Sequence, residues 1–137
     1  MRRNIQLLAC VLTMVSGSAL AQVTTAFKGR PSIKVSEGGV SRLPESVSRE
    51  KSINTECVIS KIGEQYYWAS RENAEMVRLE SGAFVTYVAL NGSGYVRVVN
   101  PTLKGVAALM SQTEGKFDYV EHLLIGLRSV TYYGREQ

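Results

Sequence analysis

The chain has 137 residues, with 16 Lys and Arg against 12 Asp and Glu for a formal charge of +4, and 45% of its residues are hydrophobic. That is one domain's worth of sequence, apolar enough for a core. The small positive surplus is spread along the chain and forms no basic stripe of the kind nucleic-acid binding uses, so nucleic acid is not an expected partner. With one histidine, one aspartate and two cysteines, side chains for proton transfer and metal ligation are scarce.

Residues 1–21 have the three parts of a secretory signal. Arg2 and Arg3 form a positive start, residues 5–15 are mostly apolar, and Ala19-Leu20-Ala21 is a small-residue cleavage site, which predicts cleavage after Ala21. The apolar run is too short to span a bilayer, which takes ~20 apolar residues, so no stable membrane anchor is expected after cleavage. The mature chain would have 137 − 21 = 116 residues and a charge of +2, in the periplasm or extracellular space. Cys10 would leave with the signal, so Cys57 cannot form an internal disulfide and is expected to be buried as a small hydrophobe or paired with another molecule.

Residues 22–54 are rich in Ser, Gly, Lys, Arg and Glu, contain Pro31 and Pro44, and keep no sustained period of 2 or 3.6. They predict a flexible N-terminal arm with one short extended piece at 32–35, because such a stretch buries too little apolar surface to offset the entropy of ordering it. From residue 55 to 137 the composition becomes that of a small folded domain.

Strands are predicted at Cys57–Ile62 and at 65–70, where the run Tyr66-Tyr67-Trp68 places Tyr66 and Trp68 on one face and Tyr67 on the other. Ala74–Ser81 fits a strand or a short helix; the strand is preferred because it lets Val77 and Leu79 join the same sheet. Residues 84–100 are the clearest element, two β-branched runs flanking Asn91-Gly92-Ser93-Gly94, and they predict a β-hairpin. A two-residue turn at Asn91-Gly92 would oppose Tyr87 to Val96 and Val85 to Val98, whereas a four-residue turn over Asn91–Gly94 would shift partners by two and keep the same faces. Val85, Tyr87, Ala89, Val96 and Val98 would face the core, with Thr86, Val88, Tyr95 and Arg97 on the other face.

Asn100-Pro101 then reads as a helix start, with Leu103, Val106, Leu109 and Met110 at helical spacing through residue 111. Asp118 with Glu121 three residues on has the spacing of a capping box, predicting a second helix with Val120, Leu123 and Leu124 as its apolar positions and Gly126 as its stop. Residues 127–133 alternate and predict a last strand. The sum is an α+β fold, an antiparallel meander of about five strands with two helices on one face. A domain this small has little core to spare, which leaves homodimerisation through a sheet edge or through the arm open.

No motif identifies a catalytic centre, a metal site or a cofactor. His122 with Asp118 on one helix face, or with Cys57 as a thiol dyad, would be the minimal equipment of a small hydrolase or thiol-dependent enzyme, but no nucleophile has motif context. Gly92-Ser93-Gly94 joins two strands and lacks the following helix N-terminus of a phosphate loop. The remaining candidate is a binding face. Tyr67, Trp68, Arg71, Tyr95 and Arg97 are the aromatic and guanidinium side chains that dominate interfaces, and one sheet face is left over once helices cover the other. The leading expectation is a non-enzymatic binding or accessory protein recognising a protein or cell-envelope component; a structural subunit assembling through a sheet edge is the other non-enzymatic reading.

Overall fold

A computed structural model describes residues 20–43, 55–100 and 117–137. These form nine strands: β1 (Val23–Ser36), β2 (Gly39–Arg42), β3 (Cys57–Ile62), β4 (Gln65–Trp68), β5 (Ala74–Ser81), β6 (Phe84–Ala89), β7 (Gly94–Val99), β8 (Tyr119–Ile125) and β9 (Arg128–Glu136). Every neighbouring pair is antiparallel, and β1 pairs with β9 as well as with β3. Eight strands therefore close into an up-and-down barrel, with β2 folded back as an extra hairpin strand on the upper part of β1.

This overturns the α+β expectation. The helix predicted from Asp118 is strand β8, paired on one side with β7 and on the other with β9. Val120, Leu123 and Leu124 do have helical spacing, but Tyr119, Glu121 and Leu123 also alternate, and two flanking ladders satisfy that backbone at every step. Asp118 caps no helix; its carboxylate accepts the Glu136 backbone N–H at 3.1 Å. The helix predicted over 101–111 lies outside the described residues.

The predicted arm is corrected over its first half too. Val23–Gly29 pairs with β3, and Gly29–Ser36 pairs with β9, so β1 is the strand that closes the ring. It bends to do so: the register slips between Thr25 and Phe27 and again between Pro31 and Ile33, and Pro31 falls at the second slip, where a missing N–H is tolerated. Opposite that bend is Gly134, where a Cβ would collide with the Arg30 carbonyl oxygen. Only glycine lets β1 and β9 approach this closely.

Side-chain alternation then sorts the interior from the wall. Phe27, Cys57, Ile59, Trp68, Met76, Val85, Tyr87, Ala89, Val96, Val98 and Tyr119 form one buried cluster that fills the barrel. The β6–β7 hairpin has the expected register, Tyr87 opposite Val96 and Val85 opposite Val98, with its five predicted core residues inside. Ala74–Ser81 is a strand throughout. No helix among the described residues is long and apolar enough to cross a membrane.

Candidate functional site

Two features stand out, one inside the barrel and one on its wall. Inside, β8 carries Glu121 inward on the same face as Tyr119, and its side chain is wholly removed from solvent. An isolated carboxylate there would be costly, and two side chains answer it. Trp68 on β4 donates its indole N–H to Oε1 at 3.1 Å and Arg71 brings Nη2 to Oε2 at 3.0 Å, with the buried Cys57 thiol on β3 in the same cluster.

Arg71 reaches this position from the β4–β5 connection. Ser70 fastens that loop to β3: its hydroxyl accepts the Val58 N–H at 2.9 Å and its own N–H donates to the Val58 carbonyl at 3.3 Å. The Ala74 N–H then closes a turn on the Arg71 carbonyl at 3.1 Å, with Glu72 and Asn73 between them both at φ 54°. That is the double left-handed turn that suits antiparallel hairpins, built without glycine. The guanidinium also lies 5.9 Å from the centroid of the Tyr132 ring on β9, so one side chain links β4, β8 and β9 across the upper mouth.

The electrostatics follow from burial. Desolvation pushes the Glu121 carboxyl above the ordinary carboxylate range, with Arg71 and the Trp68 N–H pulling it back. Burial, then the negative charge of Glu121, pushes the Cys57 thiol well up. Tyr119 is pushed up by the same burial, and its hydroxyl has no hydrogen-bond partner among the described residues. A thiol held in its neutral form is a poor nucleophile. This cluster therefore acts as an internal polar strut.

On the wall, the cross-strand register aligns two outward rows over β5–β8. One is Val77, Val88, Tyr95 and His122, continued by Thr131 on β9; the other is Leu79, Thr86, Arg97 and Val120. Val77 is 40% exposed, Leu79 52%, Val88 36% and Tyr95 38%. Tyr95 and His122 stack at 5.3 Å with ring planes 29° apart, and His122 Nδ1 shares a 2.8 Å hydrogen bond with Thr131 Oγ1. Arg97 lies over the Phe84 ring at 5.2 Å and donates to Thr86 Oγ1 at 3.2 Å, which flattens the guanidinium against the wall.

The residues expected to share one binding face are thus divided. Tyr67, Tyr95 and Arg97 are on the wall; Trp68 is fully buried and Arg71 turns inward to Glu121. The enzyme alternatives lose their geometry. Cys57 faces the interior and His122 the exterior, so the barrel wall separates them, while Asp118 sits in the bend before β8, four residues of extended backbone from His122, and is engaged with the Glu136 backbone. No group of three or more His, Cys, Asp or Glu among the described residues is placed to hold a metal ion. The capping-box spacing assigns Glu121 to a helix start; the alternation of Tyr119, Glu121 and Leu123 is the signal that places it inside.

No protein-family model matches the chain, and no curated protein or solved structure matches it either.

Proposed function

We propose that the protein is a small exported, non-enzymatic binding or accessory protein, recognising a protein or cell-envelope partner through the outer wall of β4–β8. The observation that carries this reading is the contiguous row of Val77, Val88 and Tyr95, exposed although the interior already has a complete core of its own, and continued by the half-buried His122 stacked on Tyr95. Apolar and aromatic residues joined in one patch, with an arginine laid flat beside them, are what a partner surface uses. Tyr67, Tyr95 and Arg97 remain in the contact set; Trp68 and Arg71 leave it, since their work is to hold Glu121.

The test is affinity capture from the native envelope with the mature chain as bait, beside a Tyr95→Ala, Arg97→Ala variant and a Lys28→Ala control on β1. The double variant should lose the captured partner while the control keeps it. Equal capture by all three would refute the assignment of the wall.

A further inference from the structure

We propose that Asn91 is a site of spontaneous backbone modification, and that the β6–β7 turn itself assists the reaction. Asn91 and Gly92 are exposed at the hairpin tip and a Cβ built on Gly92 would meet nothing within 4 Å, so no side chain crowds the Gly92 nitrogen, whose N–H donates to the Ala89 carbonyl at 3.2 Å and gives up that bond when it attacks. The turn adds a specific aid: the Ser93 backbone N–H donates to Asn91 Oδ1 at 2.9 Å. That donor holds the side-chain amide over its own backbone and stands where negative charge develops when Cγ is attacked.

The chemistry balances with water alone. Solvent base removes the Gly92 N–H proton, the nitrogen attacks Asn91 Cγ, and Oδ1 takes up charge against the Ser93 N–H. The Cγ–Nδ2 bond breaks and ammonia leaves with a proton from solvent, giving a five-membered succinimide. Water then opens either carbonyl, leaving aspartate or the isoaspartyl linkage in which the chain runs through the side chain. The net change is one amide plus water to one carboxylate plus ammonium. The isoaspartyl product lengthens the turn that sets Tyr87 opposite Val96 and Val88 opposite Tyr95.

The mature protein, a blocked peptide spanning residues 88–96, and the Gly92→Ala forms of both are incubated at mildly alkaline pH. Site and rate are read by peptide mapping and by enzymatic isoaspartate methylation. The folded protein should modify at Asn91 at least as fast as the peptide, and Gly92→Ala should slow both about tenfold or more, equivalent to raising the barrier by roughly 1.4 kcal/mol. A peptide reacting about tenfold faster than the folded chain, or a folded chain that modifies first at Asn73, would overturn the proposal; should the Gly92→Ala protein not fold, the peptide pair still decides the glycine requirement.

Discussion

Trp68 and Glu121, 53 positions apart in sequence, meet inside the barrel, the indole N–H of one donating to the carboxylate of the other at 3.1 Å. Because Trp68 is the chain's single tryptophan, its fluorescence reports directly on the one buried carboxylate among the described residues. Removing the carboxylate alone takes away the buried acceptor shared by Arg71 Nη2 and the Trp68 indole N–H. Glu121→Leu should cost about 3–5 kcal/mol in urea unfolding followed by Trp68 emission, and Glu121→Leu with Arg71→Leu should recover most of that, since replacing both members of a buried pair is often close to neutral. Additive losses in the double variant would show that the pair is not coupled.

The upward shift of Glu121 has a sign in stability. A carboxyl that binds its proton more tightly folded than unfolded favours the folded state in acid. That contribution is fully present below its unfolded value, about 4.3, and is lost as pH rises through the higher folded value. The stability difference between the natural chain and Glu121→Gln should therefore move against the natural chain as pH rises across that window. A difference that stays flat from pH 4 to 8 would place the carboxyl in contact with water.

Glu72 occupies a left-handed position that costs an ordinary side chain about 1–2 kcal/mol, partly offset in glycine by backbone entropy. Glu72→Gly should raise stability by about 0.5–1 kcal/mol, measured by chemical denaturation. A loss would mean that the Glu72 side chain holds the turn by a contact of its own.

Gly134→Ala should do the reverse. The added methyl meets the Arg30 carbonyl and the Pro31 Cα, both backbone, at the seam where β1 and β9 close the ring. The expected loss is about 2–4 kcal/mol, with early amide exchange along β1 and β9 in hydrogen-exchange measurements. Exchange that spreads evenly over all strands would indicate a global effect instead of an opened seam.

Cys57 should react with a thiol reagent only as fast as the barrel opens, because it is fully buried and held neutral. Labelling at the rate of a free thiol in native buffer would put it outside the core.

The elements that were legible in the sequence are those whose pattern is local. The β6–β7 hairpin shows both its alternation and its Asn-Gly turn, and β3, β4 and β5 are short runs bounded by Gly63-Glu64 and by Arg71-Glu72-Asn73. What was not legible depends on partners far away in the chain. β1 has little apolar content, with Phe27, Gly29 and Pro31 as its inward positions, and it is ordered by the two strands that flank it. For β8, the Asp118-to-Glu121 spacing and the inward alternation of Tyr119, Glu121 and Leu123 coexist in seven residues, and pairing with β7 and β9 decides between them. The binding residues divide for a similar reason. Period-2 reasoning put Trp68 opposite Tyr67, but which of the two faces water depends on the ring being closed.

The β1–β9 seam also sets when this protein can become itself. Its first stave and its last are hydrogen-bonded neighbours, and the Gln137 N–H reaches the Lys28 carbonyl at 2.9 Å. A chain emerging from a ribosome cannot complete that hoop until β9 is free, however early the central hairpins form. Until then both rims of the unfinished sheet stand open to other strands, so anything that delays the appearance of β9 leaves the protein sticky for as long as the delay lasts.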